Sequence, residues 1–340
     1  MKILKTIAIV ALFFLPMFSI AADSLSKEVA MITPDADNAG IKLPQGFGAL
    51  AFASDIGRAR HIVVNTNGDV YIKLARARGG KSILRLRDMN KDGKADETLG
   101  FGAYGGTGIA IKNGYLYASS DSMVYRYKLN DKNEVADTAN PEIIIKGLKA
   151  GNQHETKSIA LDNAGNIYVN IGAYSNSCQE QDRQNGSKGM DPCPVLNDAG
   201  GIWQFKVDKL NQSYPEGVRY ATGLRNVVGL DWNQQVNELY VMQHGRDQLF
   251  QMWPKLYDQK QGAELPAEEM FLVKKGMNFG WPYCYYDPFQ NKKVLAPEYG
   301  GDGKTIGRCA EMQNPVVAFP AHMAPNGLLF YTGNMFPEKY

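Results

Sequence analysis

Short strands separated by Gly- and Asn-rich turns predict an all-β fold, and their recurrence at a similar length predicts a β-propeller. Three observations carry this expectation. Helical apolar periodicity is almost absent beyond residue 21. An Asn/Gly turn followed by alternating apolar residues around a tyrosine recurs in residues 67–72, 113–118, 164–169, 237–241 and 328–331. The tyrosines are Tyr71, Tyr117, Tyr168, Tyr240 and Tyr331, and the first two intervals each match one four-stranded blade of ~40–50 residues. The later intervals are longer, which places insertions near Cys178 to Cys193 and from Gln259 to Lys304. A β-sandwich would not repeat one turn-plus-tyrosine unit at that length.

Taken in order, the chain opens with a basic Met1 to Lys5, an apolar Thr6 to Ile20 and a small-residue site at Ser19 to Ala21. That pattern predicts a signal peptide over residues 1–21. The apolar run contains Pro16 and is short for a bilayer span. Residues 22–340 then form one β-propeller domain, with no later apolar stretch long enough to cross a membrane. The expected location is periplasmic or secreted. Removing residues 1–21 takes away Lys2 and Lys5 and no acid, so the formal charge falls from +2 to zero. A neutral surface offers no electrostatic footprint for nucleic acid or anionic lipid. The four cysteines, Cys178, Cys193, Cys284 and Cys309, favour two disulfides in an exported chain. Pairing 178 with 193 and 284 with 309 would staple one Gly/Asp/Pro-rich excursion each. The fifth tyrosine unit lies just before Tyr340, and a propeller must close to remove its edges. The expectation is therefore a ring truncated in or before its last blade.

Four histidines, His61, His154, His244 and His322, stand beside successive strand-like segments. Imidazole is the side chain suited to proton transfer near neutrality, so a site assembled where those segments meet is expected. Arg60 precedes the first such segment. Arg225-Asn226 joins a guanidinium fork to an amide donor, a pair suited to carboxylates and quinone or carbonyl oxygens. Gly245 permits close backbone approach to a ligand or ion. The Asp88-Met-Asn-Lys-Asp-Gly-Lys-Ala-Asp96 segment matches the start of a calcium loop, yet Leu99 stands at its twelfth position where a bidentate glutamate belongs. A solvated hairpin turn is the reading favoured there.

Together, Arg60-His61-Ile62, residues 154–158, 223–226 and 238–247, Asn278-Phe-Gly-Trp-Pro-Tyr-Cys284 and Ala321-His-Met-Ala-Pro325 resemble the glucose/sorbosone dehydrogenase family. The similarity is greatest to its sorbosone-dehydrogenase-like branch and runs from about Leu43 to Tyr340. The resemblance implies a six-bladed propeller that uses pyrroloquinoline quinone (PQQ) and calcium to oxidise an aldose or related sugar aldehyde or hydroxyl. It implies His154 as the catalytic base, cofactor contacts from Arg60, Arg225, Asn226 and His322, and calcium on the backbone carbonyls of Gly245 and Arg246. It also implies an electron acceptor such as a cytochrome or a quinone pool. Val227 stands where many members have proline, and the family's remaining carboxylate-binding cations would come from beyond Tyr340. Two further readings follow from the residues alone. The four histidines could hold iron in an oxygenase, or the propeller could be a secreted module that binds a sugar or protein without turnover.

Overall fold

The computed structural model describes residues 32–337 and Lys339; the expected signal peptide lies outside the described residues. Four antiparallel sheets of four strands are arranged as blades, each with its first strand innermost. Blade one comprises β1 (Ala59–Val64), β2 (Val70–Arg78), β3 (Lys81–Arg87) and β4 (Glu97–Phe101). Blade two comprises β5 (Ile109–Lys112), β6 (Tyr115–Ser119), β7 (Val124–Lys128) and β8 (Glu142–Lys146). Blade three uses β9 (Ile159–Leu161), β10 (Asn166–Ile171), β11 (Gly201–Lys206) and, after the short β12 (Gln212–Ser213), β13 (Val218–Thr222). The β12 strand leaves its own blade and pairs in parallel with β8 of blade two.

Blade four begins with β14 (Val227–Asn233) and β15 (Glu238–Gln243). An excursion then carries α1 (Leu249–Met252) and α2 (Gln259–Glu264) before the third strand, β16 (Glu268–Val273). A second excursion forms the hairpin β17 (Cys284–Asp287) and β18 (Lys292–Leu295), and β19 (Val317–Phe319) returns to the outer edge of β16. The only α-helices among the described residues thus lie in an insertion, and none is long and apolar enough to cross a membrane.

Tyr71, Tyr117, Tyr168 and Tyr240 each fall on the second strand of their blade, so the repeated unit is the turn entering that strand. Its alternation packs apolar residues between neighbouring sheets. Ile167, Val169 and Ile171 of β10 face Tyr117, Val124 and Ile145 of blade two, while Tyr168 points the other way and stacks on Trp232 of blade four, ring centroids 5.4 Å apart. Residues 328–331 form no strand among the described residues; the Phe330 amide instead donates to the Asp231 carboxylate at 2.8 Å. The inner strands β1, β5, β9 and β14 stand side by side around an axial channel of about 610 Å³, which Leu328 and Leu329 also line.

Both expected cysteine pairs are disulfides: Cys178–Cys193 closes one excursion and Cys284–Cys309 the other. The segment from Asp88 to Asp96 is the hairpin turn between β3 and β4. Asp88 accepts the amides of Lys91 and Gly93 at 2.6 and 2.8 Å, and Asp96 accepts that of Met89 at 2.7 Å. Its carboxylates act as caps of their own turn.

Candidate functional site

The loops that leave or enter the inner strands meet at one end of the axis. They enclose an open cleft of about 530 Å³ to which all four blades contribute. Blade one supplies Arg58, Arg60 and Arg76; blade two Thr107 and Asp121; the loop before β9 supplies His154, Glu155 and Thr156; blade four supplies Asn226 and His244. Arg60 and Asn326 line both this cleft and the axial channel, so the two are continuous.

His154 is held on two sides. Its backbone takes a left-handed conformation, φ 54°, which is unfavourable for any residue with a Cβ. Its ring Nδ1 bonds the carbonyl oxygen of Ala173, just after β10. A carbonyl only accepts, so His154 Nδ1 carries the hydrogen and the Nε2 lone pair is the basic position. The approach requires glycine at 172, where a Cβ would meet the His154 Cβ and carbonyl oxygen, each at 2.6 Å. Burial first, and the nearby Arg225 charge next, lower the His154 pKa to about 4 against the raising effect of the Ala173 bond. The imidazole is therefore neutral at neutral pH.

His244 fixes its neighbour in the same way. Its Nε2 lies 2.9 Å from the Pro325 carbonyl and must donate, which makes Nδ1 the acceptor for the Asn226 amide nitrogen at 3.3 Å. The Asn226 Oδ1 that remains is buried without a partner, as is Thr156 Oγ1 in the facing loop. Asn170 of β10 is fully buried and bridges these segments, donating to Thr156 O at 3.1 Å and accepting from Val227 N at 3.2 Å.

Other expected positions lie elsewhere. Arg225 is 2 % exposed and its guanidinium is consumed by protein. Nε donates to Asn176 O at 3.1 Å, one terminal nitrogen to Gly245 O at 2.8 Å, and the other to Asn176 Oδ1 at 3.0 Å and Asp247 Oδ2 at 2.8 Å. Arg225 therefore does not reach the cleft through its side chain; it stands behind His154 as a fixed charge. Ala173 joins the two, its amide donating to Arg225 O at 2.8 Å. Arg246 turns away into a buried ion pair with Glu298 at 2.5 Å, and Trp253 and Ser177 complete the Glu298 carboxylate. The space enclosed around Arg225, Gly245 and Arg246 is about 10 Å³, too small for a ligand. His322 is exposed, bonds the Gly262 carbonyl of α2 at 3.1 Å, and lies outside the cleft. His61, on β1, lines the channel and bonds Asn326 O at 2.8 Å. No three His, Cys, Asp or Glu side chains among the described residues group as a metal site, so the four histidines do not converge as iron ligands.

A four-bladed arrangement with a polar cleft at one axial end, a tautomer-fixed histidine and an arginine-rich wall defines a β-propeller whose site lies at the blade-loop mouth. A family model described as TrAA12-like matches residues 41–336, and the chain belongs to that family. It is related to PQQ-dependent sugar dehydrogenases. It is 21% identical to a pyrroloquinoline quinone-dependent sugar dehydrogenase of Hypocrea jecorina, over 67% of this chain and 55% of that protein. It is 24% identical to an uncharacterised protein of Borreliella burgdorferi, over 98% of this chain and 75% of that protein. Among solved structures, it resembles the holo form of the PQQ domain of a pyranose dehydrogenase from Coprinopsis cinerea, with TM-score 0.68 and 16% identity, over 86% of this chain and 73% of that one. A calcium structure of a carbohydrate-active enzyme of family AA12 from Trichoderma reesei gives TM-score 0.65 and 19% identity, over 83% and 72% of the two chains.

Proposed function

We propose that this protein is an exported PQQ-dependent dehydrogenase that oxidises an aldose or a related sugar aldehyde or hydroxyl, with His154 as the general base. The observation that carries the reading is His154 itself: a neutral imidazole at the cleft wall whose Nδ1 is tied to Ala173 O, leaving Nε2 to accept a proton. The relationship to PQQ-dependent sugar dehydrogenases supplies the chemical class. The two disulfides suit an oxidising compartment. The six-bladed ring and the sorbosone-like branch belong to the same proposal. The chain spans 75% and 55% of the lengths of two curated relatives it matches.

The residues present fit the quinone. PQQ is a planar polycarboxylate, and Arg58, Arg60 and Arg76 line the cleft where its carboxylates would be held. The unpartnered Thr156 hydroxyl and Asn226 carbonyl oxygen offer a donor and an acceptor to its ring atoms. The residues do not fit calcium at the expected carbonyls. Gly245 O already accepts from Arg225 at 2.8 Å, so a cation there would sit against a guanidinium. No step is assigned to calcium.

PQQ supplies, when bound, an electrophilic quinone carbonyl that takes up the substrate's hydride. The chain does the rest. His154 Nε2 accepts the proton of the substrate hydroxyl as its carbon is oxidised, and burial, aided by the Arg225 charge behind the ring, keeps that nitrogen unprotonated beforehand. The arginine wall orients the anionic partner, and the electrons leave to an external acceptor such as a cytochrome or quinone pool. The test is reconstitution with PQQ and a panel of aldoses, followed by dye reduction. Substrate-dependent reduction is expected. Quinone binding without reduction across the panel would overturn the reading in favour of a binding module.

A further inference from the structure

Three lysines are buried among the described residues, and they are treated differently. Lys293 pairs with the Glu269 carboxylate at 2.7 Å. Lys73 donates to Ser82 Oγ at 3.0 Å and to Tyr104 O. Lys157, 1 % exposed, makes no ion pair among the described residues and donates only to the backbone carbonyl of Glu155, two residues earlier. Burying an ammonium on a single carbonyl is costly, and burial lowers its pKa to about 8 despite the attraction of Asp121 and Glu155.

The position of that carbonyl gives the cost a purpose. Glu155 follows His154, whose φ of 54° is a strained conformation that surrounding structure must hold. The rest of the loop is pinned from both flanking blades. Ser119 of β6 donates to Lys157 O at 2.6 Å, and Asn170 of β10 donates to Thr156 O at 3.1 Å. The turn directly after His154 is held instead from within the loop, where Lys157 folds back onto the Glu155 carbonyl.

We propose that Lys157 is a positioning residue for His154, its ammonium holding the left-handed turn that keeps Nδ1 on Ala173 and Nε2 toward the cleft. This rests on the reading of His154 as the base, but it can be read without turnover. In the full chain, Lys157→Met keeps the stem length and removes the donor, while Lys157→Arg keeps a donor. Nitrogen-15 NMR of labelled histidines reports the tautomer and titration of His154 directly. The wild type is expected to show the Nδ1-protonated tautomer with a pKa near 4. Lys157→Met should give mixed tautomers and move the titration upward by about one unit or more, toward the ordinary value. Lys157→Arg should restore both. With PQQ-loaded protein, Lys157→Met should lower kcat on the order of 10–100-fold with KM little changed, the signature of a misplaced base.

Unchanged His154 signals in Lys157→Met, even with a lowered melting temperature, would overturn the proposal. If that variant does not fold, Lys157→Gln, whose shorter side chain withdraws the donor from Glu155 O but keeps a polar group, is read the same way: a shifted His154 supports the proposal and an unshifted one overturns it. Absent turnover in wild type alongside the expected NMR pattern would sink the dehydrogenase reading and leave the positioning role standing.

Discussion

Two polar regions meet at Ala173, one facing the cleft and the other facing the 297–299 excursion, and they handle buried charge in opposite ways. Behind Ala173, every charge is answered. Arg225 spreads its nitrogens over Asn176, Gly245 and Asp247, and Arg246 meets Glu298, which Trp253 and Ser177 also engage. In front of Ala173, His154 leaves one nitrogen available, Lys157 has a single carbonyl, and Asn226 Oδ1 and Thr156 Oγ1 have no partner. Saturated networks hold structure together, whereas unanswered groups at an open cleft are ready to meet a ligand. The contrast places the Arg225 and Arg246 side chains in the support, and leaves His154, Asn226 and Arg60 at the cleft.

Substitutions on the two sides should therefore fail in different assays. The largest effect is expected in front: His154→Gln should lower PQQ-dependent turnover on the order of 100–10,000-fold while quinone binding and melting temperature stay close to wild type. A parallel loss of quinone binding would put His154 in a binding role instead. Behind Ala173, Arg246→Met leaves Glu298 buried without its cation. Urea unfolding should report a loss of roughly 3–5 kcal/mol. A stable Arg246→Met protein that fails to oxidise sugar would return Arg246 to the site. Removing the Cys178–Cys193 bond with paired alanines should cost about 3 kcal/mol. That excursion grips the His154 loop through Gln153, which bonds Asp182 at 2.7 Å and Arg183 at 3.2 Å. Hydrogen exchange should accordingly rise at residues 152–155 in that variant. The smallest effect is expected far from both regions: Lys94→Ala breaks an exposed pair with Asp35 and should leave the urea midpoint unchanged, since solvent screens such a pair.

The blades were legible because their signal is local. A turn followed by alternation around Tyr71, Tyr117, Tyr168 or Tyr240 is written within six residues, and each landed on a second strand. The cysteine pairs were legible for the same reason, since each staples one excursion. His154 stood out because the chain has only four histidines. Arg225 and Arg246 were harder. A guanidinium next to an amide reads as a ligand contact until its partners are known, and Asn176 and Asp247, which claim Arg225, and Glu298, which claims the Arg246 side chain, lie in distant segments. His322 is drawn to α2, part of another insertion whose path no local pattern describes. Asn170 was missed although a signal existed. Asn170 interrupts a strand otherwise buried throughout, between Val169 and Ile171, and a polar residue in such a run marks a required hydrogen bond.

The pH dependence of turnover tests the central claim most directly. The folded-state pKa of His154 is depressed from 6.5 to about 4, with burial the leading cause and Arg225 the next. The base is thus present above that value and lost as pH falls through it, and the stability linked to its neutrality is likewise complete above 6.5 and lost as pH falls toward 4. In PQQ-loaded wild-type protein, kcat is predicted to hold steady down to about pH 5 and fall with an acid limb near 4, and that limb should vanish from the residual activity of His154→Gln. An acid limb that persists unchanged in His154→Gln would contradict the assignment of His154 as the base.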